Sequence, residues 1–362
     1  MGENLLSTLA LYSAKPTVRV DGQQHALLDT LLQSMTMHED EGGLSSLELG
    51  FVNWATQSNA SAGLAFEDEK IFKLGGEIKT YAGESMAPTE IFAGRISAFE
   101  FAADAEGPPR LIVHAEDAAM RARLSRRSAV YENKSVADIA KDIASRLGLT
   151  PKVTGLSDTA KVHVQLNESD LAFLRRLLVR HGADVQLVGN ELHVSPRADV
   201  QRNAIELRMN SQLVRVRVMA DLAHQVTQAR VTGFDPSSGE AVSGDGDGAP
   251  LGPGAGRTGK DLVNQVFGDR VEQVAHRLAL TQSEANALAE AEFAHRARAF
   301  VRVQGECTGV PTLRVGSHLT LKDVSPRFDN TYYATAVTHR YDQVRGYTTE
   351  FRAECAYFGN PA

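Results

Sequence analysis

Short runs in which every second residue is apolar fill the first third of the chain. Pro16–Gly22 alternates and then turns, and Leu44–Val52 sets Leu47, Leu49 and Phe51 on one side. Phe72–Tyr81, Glu90–Phe101 and Arg110–His114 continue the pattern, broken by Gly42-Gly43, Gly75-Gly76 and Pro108-Pro109. Strands of this length at this spacing predict a compact barrel or sandwich. The period changes near Ala115. Val136, Ile139, Ala140, Ile143, Ala144 and Leu147 follow helical spacing, with Ser135 and Asp138 as a capping box and Gly148 as the stop. A second helix is predicted after Asn167 through Leu171, Leu174, Leu177 and Leu178, stopping at Gly182. Val185–Val188 and Glu191–Val194 flank Gly189-Asn190, which spells a tight hairpin.

Strands return after Pro196, at Leu213–Met219 and His224–Phe234. Residues 236–260 are so rich in Gly and Pro that they predict a loop without regular structure. A helix over 283–298 then leads into strands at Val301–Cys307, His318–Lys322, Tyr332–Asp342 and Tyr347–Tyr357. Strict alternation puts Tyr332, Ala334, Ala336 and Thr338 on one face and Tyr333, Thr335 and Val337 on the other. Apolar groups on both faces predict a strand covered twice, once by its own core and once by a neighbouring chain. The expected fold is β-rich α+β: two barrel-like β modules with an inserted small α+β subdomain. The expected divisions are an N-terminal barrel-like module at 1–115, the insert at 116–200 and connecting strands at 201–235. A Gly-rich flexible loop at 236–270 and a helix plus C-terminal barrel-like module at 271–362 complete the chain. No fixed-period repeat occurs.

Composition narrows the classes. The chain has 362 residues and 39.2 kDa, 43% apolar and 23% charged, enough for two to three domains with sizeable cores. A formal net charge of −7 argues against binding nucleic acid through its backbone, which needs clustered Lys and Arg. Cys307 and Cys355 cannot build a disulfide framework and are expected as buried thiols in one sheet. No run reaches the roughly 18 apolar residues of a membrane helix. The apolar run Leu5–Ala14 follows Glu3 with no Lys or Arg ahead of it, so it is not read as a signal peptide. Gly2 lacks the Ser or Thr that myristoylation wants, since Leu6 stands there. Synthesis in the cytoplasm is expected.

Several motifs come close to a chemistry and miss it. Gly254–Lys260 nearly completes a phosphate loop, but Asp261 occupies the place of the metal-binding hydroxyl and no apolar strand precedes it. Asp245 and Asp247 lack the remaining oxygens of a calcium loop. His38-Glu39-Asp40-Glu41 is not a zinc motif, and His163 and His193 alternate with apolar strand residues. Arg121, Arg123, Arg126 and Arg127 read as a solvated helix face or a protein contact rather than a nucleic-acid patch, because no aromatic residues interleave them. No nucleophile elbow or cysteine signature occurs. The expectation is therefore no catalytic, cofactor-binding or metal residue, and no cofactor. A peptidoglycan-degrading enzyme and a carbohydrate-binding module are the rival readings.

The ordered series Gly309–Leu319, Phe328–Tyr341 and Gly346–Phe351, with Val231–Gly239 before the variable loop, carries more. Together with Glu116–Leu124, Ser135–Leu149 and Asn167–Val194, it resembles the phage late control protein D family and the hub portion of VgrG spike proteins over roughly 15–358. Asn330 stands where that family often has Gly, and is expected to keep the left-handed turn. The resemblance implies a structural baseplate hub of a contractile tail or injection particle. It would be a homotrimer whose six modules join a sixfold inner tube to a threefold spike. Implied partners are the inner tube or tube-initiator protein, a separate spike protein and baseplate subunits, with no nucleic-acid recognition and no membrane insertion. Because the hub-like strands end just before Ala362, the expectation is that the chain docks a separate spike or is the hub part of a longer protein.

Overall fold

In a computed structural model, residues 12–56, 62–84 and 87–359 are described. Gly2, Glu3, Leu6 and the start of the Leu5–Ala14 run lie outside them. One sheet of 13 strands runs through both ends of the chain. Its N-terminal half comprises Tyr12–Val20, Gln23–Gln24, Leu32–Asp40, Leu44–Val52, Glu77–Glu84, Thr89–Ala102 and Arg110–Glu116. Its C-terminal half comprises Ala204–Arg208, Leu213–Ala220, Val301–Thr308, His318–Lys322, Thr331–Asp342 and Gly346–Cys355. The halves meet where Leu32–Asp40 pairs antiparallel with Thr331–Asp342, from Ser34↔Asp342 to Asp40↔Ala336. The sequence pattern missed this first strand, whose alternation is reduced to Met35 and Met37 beyond a bulge near Leu32.

Each half has its own core. Phe51, Phe66 and Phe72 cluster in the first at centroid separations of 5.1–5.5 Å. Leu207, Phe300, Leu319, Tyr332, Val337 and Phe351 build the second. Cys307 and Cys355 are buried in its sheet as free thiols, as expected, and burial pushes both up to about 12.

The Thr331–Asp342 strand departs from strict alternation. A bulge between Ala334 and Ala336 inserts Thr335, so Val337, not Ala336 or Thr338, joins Tyr332 and Ala334 in the core. On the opposite face Tyr333 is covered by this chain's own Arg197, whose guanidinium lies 4.0 Å from the ring centroid. The double covering read as a neighbouring chain is thus supplied internally at this position. Asn330 does not take a left-handed backbone, as the turn expectation required. Its side chain accepts from Ala255 N at 3.0 Å and donates to Ala255 O at 2.9 Å, bracketing the incoming segment.

The insert forms as the helix signals predict. Val136–Leu147 starts with the Ser135–Asp138 capping box and ends at Gly148, φ +71°. Asp170–Val179 is capped by Ser169, and Ala183–Val188 pairs with Glu191–Pro196 across Gly189, φ +58°. Arg126 and Arg127 correct the reading as a helix face: they open the Arg126–Ser135 strand after a helix that covers only Met120–Leu124. Arg126 donates to Asn167 O, and Arg127 lies 3.3 Å from Asp170.

The stretch 236–270 is also corrected. It holds the strand Glu240–Gly246, paired along its length with Gln228–Asp235, and the helix Gly259–Phe267. Its glycines allow close approach. A Cβ on Gly244 would lie 2.2 Å from Ala285 C, and one on Gly246 2.3 Å from Ala289 C. The strand thus rests directly on the Gln282–Arg298 helix, whose Ala285 and Ala289 are fully buried. Together with Val271–Gln273 this makes a fourth small layer with its own core around Val231, Leu288 and Phe293.

Candidate assembly surface

The near-motifs resolve into structural roles. Thr258 caps the Gly259–Phe267 helix and Asp261 closes the capping box, so the residue that breaks the phosphate loop is a helix-start signal. Lys260 lies 3.0 Å from Asp247, and Asp245 pairs with Arg230 across the strand at 2.5 Å. A Cβ on Gly254 would lie 2.5 Å from Cys355 Sγ, and one on Gly256 2.3 Å from Phe358 O, so these glycines follow the C-terminal strands. His38 bonds Asp40 and Thr338, His193 bonds Glu191, and the half-buried His163 is held below its usual range by burial and by Arg180. Among the described residues, no group of three or more His, Cys, Asp or Glu is placed to hold a metal.

The structure instead brings together charged residues far apart in sequence at the junction of the modules. Glu39, 4% exposed, accepts from Arg202 at 2.9 Å and from Arg314 at 2.7 Å. Burial pushes its carboxyl up, but the two guanidinium groups outweigh that and hold it below the usual range. Two residues on, Glu41 pairs with Arg197, which also reaches Glu354 at 2.8 Å. The insert clasps the following turn: Gly42 N donates to Asp184 at 2.9 Å, and Arg175 donates to Gly42 O at 2.6 Å. Gly43 has φ +73°, and a Cβ there would lie 2.7 Å from Val185 O. Insert, N-terminal strand and C-terminal module are therefore locked in one geometry. No local spacing announces this seam, because its members come from six separate segments.

Among the described residues, two open surfaces stand out. One is the two-stranded ribbon of Arg126–Ser135 and Thr159–Ser169. Its inner face is anchored by Tyr131, stacked on Phe173, and by Gln165, which donates to Asp170. Its outer face leaves Val130 61%, Val162 52%, Val164 47% and Leu166 72% exposed, with Val130 directly opposite Val164. An apolar ladder of this kind on one face of a ribbon is unusual for a free surface. The other is the outer edge of Leu213–Ala220, the last strand of the long sheet. Beside it His38, Arg217, Gln304 and Arg352 form a polar hollow that crosses from one half of the sheet to the other.

A family model described as the Alg8 N-terminal domain matches residues 51–343, from the Leu44–Val52 strand to the turn after Thr331–Asp342. The chain belongs to the Alg8 N-terminal domain family. No curated protein matches its sequence. Among solved structures it is similar to the 43 kDa tail protein of prophage MuSo2 from Shewanella oneidensis. That match has 11% identity and a TM-score of 0.68, covering 94% of this chain and 97% of that one. It is similar to the tail protein from Neisseria meningitidis MC58, at 12% identity and a TM-score of 0.66, covering 94% and 95%. The E. coli c3393 protein, described as a type VI secretion component similar to T4 bacteriophage tail proteins gp27 and gp5, matches at 13% identity. Its TM-score is 0.59, covering 95% of this chain and 79% of that one. At these identities the likeness is one of fold, and it takes in both sheet halves and the insert together. Among the described residues no helix is long and apolar enough to cross a membrane.

Proposed function

We propose that this chain is a structural hub of a contractile tail or injection particle, three copies joining a sixfold inner tube to a threefold spike. The observation that carries the reading is the unbroken sheet. Each chain holds two sheet halves edge to edge in fixed register, so three chains would offer six sheet units in a ring. The fold likeness to tail proteins and to a type VI secretion component supports the same role. Partners of that role are the inner tube or tube-initiator protein, a separate spike protein and baseplate subunits, and the chain would pass from the cytoplasm into the particle. Its work is recognition through large, shape-matched contacts rather than catalysis. An assembly of this kind supplies the neighbours that Val130, Val162, Val164 and Leu166 lack.

Light scattering on the purified chain tests the proposal. The expected mass is three times 39.2 kDa for the chain alone, or at least that once the inner tube protein is added. A mass that stays at one chain under both conditions at micromolar concentration rejects the hub assignment.

A further inference from the structure

A cavity of about 810 Å³ lies between the insert and the body of the molecule. Leu178, Val179 and Val185 of the insert and Ala291 of the Gln282–Arg298 helix give it aliphatic walls. Four arginines face it, and three have partners. Arg175 donates to Gly42 O, Arg197 pairs with Glu41 and Glu354, and Arg277 lies 3.8 Å from Glu292. Arg298 differs. It is 7% exposed, yet among the described residues it donates no hydrogen bond and has no carboxylate within 4 Å. Glu354 and Glu41 are near enough to favour its charge, but Arg197 already engages both. Burial, and then the neighbouring Arg197, bring the Arg298 guanidinium down to about 10, so it still carries its charge at neutral pH.

The Arg298 head faces the cavity without a counter-ion, in surroundings that solvate a charge less well than bulk water, and the cavity in front of it is where an anion would pair with it. We propose that this cavity binds an aliphatic carboxylate whose anionic group is received by Arg298. The surroundings select the ligand class. The planar fork of Arg matches the two oxygens of a carboxylate. Glu41 and Glu354 stand close by and disfavour a second negative charge, which argues against phosphate. The aliphatic wall favours an apolar group behind the carboxylate. Such a ligand comes either as a small free acid or as the C-terminal residue of a partner chain. The site stands whether or not three copies assemble.

Calorimetry on the full chain with N-acetyl-leucine, N-acetyl-leucyl-leucine and the amide of each tests this directly. The acids are expected to bind at least roughly tenfold more tightly than their amides, about the worth of one charge-assisted hydrogen bond. Binding of N-acetyl-leucine alone identifies a small acid as the source, and binding only of the longer acid identifies a chain end; either supports the site. Arg298→Met is expected to abolish the preference for acid over amide while the thermal midpoint holds or rises, because an unpaired buried charge is removed. Equal affinity for acid and amide, no binding at millimolar concentration, or an acid preference that survives in Arg298→Met overturns the proposal.

Discussion

His339 shows how much one side chain is asked to do inside the second core. It is fully buried, and its Nε2 lies 3.0 Å from Leu313 O, a carbonyl that can only accept. The proton therefore sits on Nε2, which leaves Nδ1 to accept from the Tyr347 hydroxyl at 2.8 Å. Burial, and then the Arg314 guanidinium, lower its pKa from 6.5 to about 3. Because the folded value lies below the unfolded one, the stability tied to neutral His339 is complete above about pH 6.5 and is lost as pH falls toward 3. The magnitude is on the order of 5 kcal/mol at the low end. Glu39, held below its usual range, acts in the same direction once pH drops through the carboxylate range. Thermal melts of the wild-type chain are expected to fall steeply from pH 6.5 to 4. His339→Gln should melt lower at pH 7.5 but with a visibly flatter slope across that window. Parallel curves for the two proteins would remove His339 from the acid response.

Among the elements, the Glu240–Gly246 strand carries the sharpest test, since its glycines serve proximity rather than turning. Gly246→Ala would drive a methyl group into the backbone of Ala289 and is expected to destabilise the fold by about 1–3 kcal/mol. Gly248 has nothing within 4 Å of a built Cβ, and Gly248→Ala should stay within about 0.5 kcal/mol of wild type. Urea midpoints of the two variants decide it; equal losses mean that the strand does not rest on the helix. The same strand marks where sequence reading fails. Ser135, Asp138, Gly148 and the hairpin at Gly189 were legible because capping and turn chemistry is local. The long terminal strands were legible because their period is two residues. Gly244 and Gly246 were read as breakers because composition records a missing side chain but not the helix that requires it missing. Thr335 escaped for a related reason: one inserted residue reverses every face after it, and nothing in the apolar pattern marks the insertion. The ion pairs of Glu39 and Glu41 were invisible, their partners lying more than 150 residues away along the chain.

For the whole molecule, Glu39 is the residue on which the geometry of the two halves turns. Glu39→Gln leaves Arg202 and Arg314 buried with a neutral partner, an arrangement expected to cost about 3–5 kcal/mol. Differential scanning calorimetry should show a lower midpoint, and limited proteolysis should find new cleavage near residues 197–203, the return from the insert. An unchanged midpoint would mean that the seam decorates a junction held by the sheet alone. That sheet has a mechanical side. Seven residue pairs join Leu32–Asp40 to Thr331–Asp342. A force directed along these strands strains all seven pairs at once, whereas a pull across them opens one pair at a time from the end. The buried charges of Glu39 sit at the Asp40 end of that ladder, where such an opening would otherwise begin. The junction therefore resists sliding better than peeling, and peeling must start from the Ser34–Asp342 end.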